Sequence, residues 1–412
     1  MKIFFVASEM PFPGFSGSNI IHWSIVNFLI NEGHHLYLFC DPPRFGILEI
    51  DKKINDQMYE KIKSLNCELV TLNNIKINIK KKNIIQRIFS NKFEDYYSNC
   101  HASKEIEEIL KNKTDEVNPD LIMCYGSAAI HWTKNLKTKR VGVPSVPEVI
   151  FYKKVKLIEK NIINIIKYSI AYIKVKLFQK QIIKESKKMD LSFNISRDWN
   201  LFLNKLGLKS EHLLPIFYDS AKLIKRKEKT ERSFFKIILV GLMSTKNKTL
   251  CDILRKYVFP KIEKEIDLNK IQFHFIGTNH DDLPDDFKNK SYVIARGFVD
   301  DFADEVYDSD LFFCPTPYDL GLSTRLCDAL CLGSCILTSE FDKISLPFLK
   351  DKYNCYIVDD LKNTGSLLIQ IMKNKDLNKQ IKLNARKSYE QFLSFESAGK
   401  KYNDFLTLNT TD

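Results

Sequence analysis

Short apolar runs alternate with longer amphipathic stretches along this chain, and the alternation occurs twice. An antiparallel neighbour can be reached through a tight turn, whereas a parallel one needs a crossover of about a dozen residues, usually a helix. The pattern therefore predicts parallel sheets. Expected strands in the first half are 3–8, 36–40, 68–72, 121–125, 145–149 and 191–196; in the second they are 237–241, 272–277, 293–298, 311–314, 335–338 and 355–358. Each half reads as a doubly wound α/β domain, and a length of 412 residues suits two domains rather than one. A helix over 18–32 is easily read, because Ile21, Ile25, Phe28 and Leu29 share a face and Gly33 follows at the C′ position. Residues 218–233, rich in Lys and Arg and without periodicity, read as the linker between the halves.

At 44% hydrophobic and 28% charged residues, the chain has the apolar content of a globular protein rather than a disordered one. No run approaches the length of a spanning helix, and the apolar stretch 3–7 is too short for a secretory signal. The ten cysteines occur without any C-x-x-C pair, the usage of reduced cytosolic thiols. Cys327, Cys331 and Cys335 are spaced by four, but Gly333 ends that helix and no His is near, so no metal site is expected.

The net charge of +12 is unevenly placed. Residues 1–219 hold 33 Lys and Arg against 23 Asp and Glu, and the remainder 30 against 28. Much of the excess lies in 76–92 and in 151–188, the latter with eleven Lys against two Glu. In 151–188 the lysines interleave with Ile, Val, Leu, Tyr and Phe, a basic amphipathic pattern suited to an anionic membrane surface. The plainer alternative is that a Lys-rich composition puts Lys on every solvated face. No recognised nucleic-acid motif is present, so no nucleic-acid partner is expected.

Open α/β sheets bind ligands beyond the carboxyl ends of their strands, so the loops following the strands carry the candidate chemistry. The first such loop, 9–18, holds Gly14 and Gly17 ahead of a helix N-terminus but lacks G-x-G-x-x-G. The loop Gly241-Leu-Met-Ser-Thr-Lys246 has the glycine and lysine of a phosphate loop without the second glycine of a Walker motif. A lysine at a helix N-terminus opposes the macrodipole unless an anion sits there, which makes Lys246 the candidate phosphate ligand. In 321–333, Ser323 or Thr324 suits an N-cap and Gly333 a C′ stop; Arg325 and Asp328, three apart, share a face near the helix start. An Arg there suits phosphate and a carboxylate suits sugar or ribose hydroxyls, against the alternative of a surface ion pair. His131 and Glu148, each placed after an expected strand, are the candidates of the first half. The contiguous pairs Asp281-Asp282 and Asp300-Asp301 do not form D-x-D after a strand.

Several landmarks recur together in a fixed order: Pro11 to Gly17 followed by Gly33-His34, Pro119 to Ile122, Asp190 to Ser196 with Asp198, and Pro215 to Asp219. Ile238 to Lys246, Gly297 to Asp300, Tyr307, Asp310 to Pro315, Ala385-Arg386, Phe392, Phe395-Glu396 and Tyr402 complete the series. In this order the chain resembles the GT-B glycosyltransferases, particularly glycosyltransferase family 4, nearly end to end.

The resemblance implies two Rossmann-like domains facing across a cleft, over 1–222 and 223–392, with 393–412 a helix crossing back to the first domain. It implies metal-independent transfer of a hexose-type sugar from a nucleoside-diphosphate sugar to a glycan or glycolipid hydroxyl, probable retention of configuration being the family's behaviour. The donor is a substrate, and no cofactor is implied. By position, Lys246, Gly241, Arg325 and the Ser323–Thr324 amides correspond to the diphosphate contacts, Asp328 to the ribose contact, and Gly17 to the first-domain glycine against the phosphates. Three positions depart from the family pattern: Leu242 where an Arg is common, Leu320 where the first acid of a pair is expected, and Asp328 in place of Glu. The departures motivate an alternative, an inactive nucleotide-sugar-binding or scaffold protein. A cytoplasmic location, peripheral at the inner face of the membrane if 151–188 meets lipid, completes the expectation.

Overall fold

The computed structural model describes residues 1–7, 11, 17–40, 60, 62–65, 67–70, 104–144, 162–225, 228–241, 245–317 and 321–408. It divides into two compact units, the first comprising Met1–Leu213 with Tyr402–Asp412 and the second Leu214–Lys401.

The first unit is built on seven parallel strands, β1 (Lys2–Ala7), β2 (His35–Cys40), β3 (Cys67–Val70), β4 (Leu121–Tyr125), β5 (Arg140–Val143), β6 (Leu191–Asn194) and β7 (Glu211–His212), in the order β3-β2-β1-β4-β5-β6-β7. Strand β1 lies at the centre, Phe4 pairing with Tyr37 along one edge and Ile122 along the other, and its side chains are buried on both faces of the sheet. That is why it is a continuous apolar run, buried from Ile3 to Ala7, rather than an alternating one. The helix Gly17–Asn31 follows, and Gly33 at φ 78° closes it as expected. The last segment of the chain returns to this unit: Tyr402 packs its ring against Phe28 and Phe193, and Phe405 against Phe193.

The expected strand 145–149 falls outside the described residues; the fifth strand runs instead over Arg140–Val143 and stops at Pro144. A charged first residue disguises it. Arg140 is nevertheless buried, its guanidinium donating to the carbonyls of Thr133 and Lys188 and its amide to Asp190.

The second unit holds six parallel strands, β8 (Phe235–Val240), β9 (Ile271–Ile276), β10 (Val293–Gly297), β11 (Leu311–Phe313), β12 (Ile336–Ser339) and β13 (Tyr356–Val358), ordered β10-β9-β8-β11-β12-β13. Ile237, Phe273, Phe313 and Leu337 from this sheet join Phe259, Phe287 and Leu368 of its helices in one core. Both sheets thus reverse their winding beside a central first strand, at β1/β4 and at β8/β11, where doubly wound sheets open a crevice for ligands.

Residues 214–225 and 228–233, which overlap the expected linker 218–233, are strapped onto the second unit, Leu214–Lys401. Phe217 exchanges bonds with the helix Lys375–Phe392 and its end, donating to the carbonyl of Leu393 and accepting from the hydroxyl of Tyr389. Further along, the Lys225 amide donates to Asp304 and the Thr230 amide to Asp308, while Arg232 pairs with Asp308 and Asp310. Of the basic residues that suggested a solvated linker, Lys225 pairs with Asp301 and Arg232 with Asp308 and Asp310, acids about 70 to 80 positions away in sequence.

Candidate functional site

The crevice of the second unit begins where β8 ends. Gly241 leaves the strand at φ 127° and Gly277 leaves β9 at φ 83°, both in the region where a side chain is strained. A Cβ on Gly277 would lie 3.3 Å from the Gly241 carbonyl carbon, so the two turns approach more closely than larger residues allow. Backbone bonds lace these turns together: Gly241 N–H donates to Ile276, Gly277 N–H to Gly297, and the Thr278 hydroxyl to the Gly241 carbonyl at 2.8 Å. The turn that opens the candidate phosphate loop is thereby fixed. Leu242 lies outside the described residues; Lys246 sits in the first turn of the helix Thr245–Ile253, and its side chain lies outside them too.

The helix Thr324–Cys331 carries the other candidates. Ser323 occupies its N-cap position with extended backbone, and its hydroxyl makes no capping bond, so it does not take up the amides of the opening turn. Arg325 reaches across to the end of β8, its guanidinium donating to the Val240 carbonyl. This places a fixed positive charge at the switch point of the sheet, where phosphates are bound in folds of this topology. Leu320, the position of the missing first acid, lies outside the described residues.

Asp328 turns the other way. It is buried, and its carboxylate accepts a long 3.4 Å bond from Ser220, which also contacts Cys331. Burial with so little compensation pushes the Asp328 carboxyl up to about 7. Arg325 and Asp328, expected to meet one ligand from a shared face, therefore serve different neighbours here, the strand end and the strap. Beside Asp328, Arg386 clamps Asp219 with two bonds of 2.7 and 2.8 Å and donates to the Cys331 carbonyl. Burial alone would raise the Asp219 carboxyl, but the paired guanidinium outweighs it and holds it below its ordinary value.

One further carboxylate, Asp342, was not apparent as a site residue in the sequence. It is buried at the carboxyl end of β12 and gathers the hydroxyls of Thr338 at 2.6 Å, Thr316 at 3.1 Å and Ser339 at 3.3 Å. Burial raises its pKa against these bonds. Through Thr316 it ties the segment after β11, which leads to 318–320, onto β12. No local motif announces it, since its partners come from β12 and from the segment after β11.

In the first unit, Gly17 is the first residue of the helix Gly17–Asn31. Glu148 lies outside the described residues. His131 does not stand open to a ligand: it is buried in the helix Ser127–Trp132, its Nδ1 3.0 Å from both Glu185 oxygens and its Nε2 3.2 Å from Lys134, which also pairs with Glu107. Burial would raise Glu185, but the bond from His131 outweighs it and holds the carboxyl below its usual range. His131 is thus a structural polar group joining two helices, and its expected role at the acceptor is corrected. Among the described residues, no three His, Cys, Asp or Glu converge to hold a metal ion, and Cys327, Cys331 and Cys335 are free thiols.

The strand orders and two-unit construction define a class, the GT-B fold, and solved structures agree over the whole chain. S. aureus TarM, in complex with UDP, fondaparinux and alpha-GlcNAc-glycerol, superposes with a TM-score of 0.67 at 12% identity, covering 98% of this chain and 99% of that one. Sucrose-phosphate synthase from Thermosynechococcus elongatus gives 0.66 at 12% identity, covering 99% and 100%. Anabaena HepE with UDP and glucose gives 0.63 at 11%, covering 99% of each chain. Within that fold, residues 235–374 match the family Glycosyl transferases group 1, so the resemblance carried by the motifs is borne out. No curated protein sequence matches the chain.

Proposed function

We propose that the protein transfers a hexose-type sugar from a nucleoside-diphosphate sugar to a hydroxyl of a glycan or glycolipid, with retention of configuration and without a metal or other cofactor. The observation that carries this reading is Arg325 fixed on the Val240 carbonyl, beside the close-packed Gly241 and Gly277 turns, inside the segment that matches group 1 glycosyl transferases. The UDP complexes of HepE and TarM support a nucleotide as the donor's carrier.

In this mechanism the difficult step is departure of the diphosphate from an oxocarbenium-like centre. Arg325, Lys246 and the amides at Ser323–Thr324 stabilise the charge that grows on the leaving oxygen, and loss of one such donor costs about 3 kcal/mol of barrier. Asp328 accepts hydrogen bonds from the ribose hydroxyls. A buried carboxyl at about 7 is half protonated at neutral pH, and a ribose that offers two donors draws it to the ionised form.

The same burial of Asp328, with the departures at Leu242 and Leu320, favours one second reading, a nucleotide-sugar-binding protein without turnover. Thermal shifts with UDP, GDP, CDP, ADP and dTDP sugars, run on wild type, Arg325→Ala and Asp328→Ala, test both. One nucleotide class should stabilise wild type, by about 2.7 kcal/mol at a hundredfold excess over Kd, and both variants should lose the shift. A shift without diphosphate release supports the binder; no shift with any donor removes the transferase reading.

A further inference from the structure

Two lysines of the second unit converge on one oxygen. Lys229 of the strap donates to the Ser309 carbonyl at 2.7 Å, and Lys382 of the helix Lys375–Phe392 donates to the same carbonyl at 3.1 Å. Their nitrogens therefore lie no farther apart than those two bonds laid end to end, within hydrogen-bonding reach of each other. Among the described residues neither lysine makes an ion pair. Asp310 faces them, but its Oδ2 is already taken by Arg232 and by the Lys236 amide, each at 2.9 Å. The other neighbours supply no negative charge: the Tyr307 ring lies 5.9 Å from Lys229 Nζ, and burial pushes the Cys335 thiol up to about 12.

Two ammonium groups cannot hydrogen-bond to each other, because neither carries a lone pair. The contact is relieved when one of them gives up its proton. Lys229 is the one placed to do so: burial of its amine, and then the charge of Lys382, lower its pKa from 10.5 to about 7. At about pH 7.5 this raises the neutral fraction on the order of a thousandfold over an ordinary lysine. What the pair still lacks is an anion. Dissolved carbon dioxide adds to a neutral amine and leaves a carboxylate on the same nitrogen, and Lys229 is exposed as a residue, so the gas can reach it.

We propose that Lys229 is a carbon dioxide site, forming a reversible carbamate that pairs with Lys382. The Nζ lone pair attacks the carbon of carbon dioxide, a C–N bond forms, one C=O π pair moves onto oxygen, and the nitrogen releases a proton to water. Nothing is oxidised or reduced. The addition replaces a repulsion between the strap and the helix Lys375–Phe392 by an ion pair. The site lies at the amino ends of β8 and β11, opposite the Val240 end where Arg325 stands, and is independent of the transferase reading.

Trapping of the full chain with triethyloxonium ion, followed by peptide mass spectrometry, tests it. In buffer equilibrated with isotopically labelled carbon dioxide at about pH 7.5, the labelled ethyl carbamate should appear at Lys229 at least about tenfold more than at the exposed Lys379. At constant dissolved gas, the Lys229 signal should rise between about pH 6 and 8 and then level off, while that of Lys379 keeps rising. Lys382→Gln removes the cation that both frees the amine and pairs with the carbamate, and should cut the Lys229 signal by about tenfold; Lys382→Arg should restore most of it. Labelling at Lys229 no greater than at Lys379 overturns the proposal, as does undiminished labelling in Lys382→Gln. A bicarbonate ion held between two ammonium groups would raise the melting temperature and leave no adduct, and that result overturns it too.

Discussion

The two units share the order of their central strands and differ in how the candidate site residues of each are partnered. In the first, His131, Glu185, Lys134 and Glu107 pair with one another across three helices and the turn that follows the second. In the second, Arg325 spends its guanidinium on a backbone carbonyl, and Asp328 is buried against a hydroxyl at 3.4 Å. A cluster whose polar groups already pair with one another builds structure. A cation and a carboxyl that do not meet each other are what a ligand with its own charge and hydroxyls can complete.

The largest effect expected from this contrast is on turnover. Arg325→Ala should lower donor-dependent diphosphate release by about 100-fold or more. His131→Gln should change it less than about threefold, while lowering stability by about 1 kcal/mol through a lost buried hydrogen bond. Equal losses in both variants would break the comparison and return His131 to the reacting groups.

Next comes the clamp beside the site. Arg386→Ala leaves Asp219 with its burial and without its partner, at a cost of about 2–3 kcal/mol, reduced from the fully buried case because both side chains keep some exposure. Asp219 is held below its unfolded pKa, so the clamp's stability is present above that value and lost as pH falls through the lower folded one. Chemical denaturation of the variant at pH 7 and at pH 3 should therefore converge towards wild type at the lower pH.

The smallest effect has the opposite sign. The Asp328 carboxyl is raised from 3.8 to about 7, so the folded state holds a proton there that the unfolded state has released. That group's contribution is most favourable below pH 4 and declines as pH rises to about 7, then stays level. Asp328→Asn removes the decline. Its melting temperature should exceed wild type by a few degrees at pH 8, an advantage on the order of 1–2 kcal/mol that vanishes near pH 4. A variant less stable at pH 8 would show that the ionised carboxylate has a partner beyond Ser220.

How far the sequence was legible follows the range of the interactions. Apolar runs and the glycines at 33 and 333 act over a few residues, and they placed the central strands, the first helix and the helix Thr324–Cys331. The fifth strand was hidden because Arg140 finds its partners at Thr133, Lys188 and Asp190. The strap reads as a linker because the partners of Lys225 and Arg232, Asp301, Asp308 and Asp310, flank a helix more than 70 residues on. His131 looked available because Glu185 stands 54 residues away. Asp342 gave no local sign at all, as its three hydroxyl partners assemble only when β11 and β12 pair.

The return of Tyr402, Phe405 and Leu406 to the first unit has a consequence for the order of synthesis. Tyr402 and Leu406 are completely buried there, beside rings contributed by Phe28 and Phe193. On the ribosome, residues 214–401 emerge as one uninterrupted stretch and can close their own core as soon as it is complete. The unit that begins first is completed only after the second, and its aromatic socket stays open until Tyr402 and the helix Ala398–Leu408 have emerged.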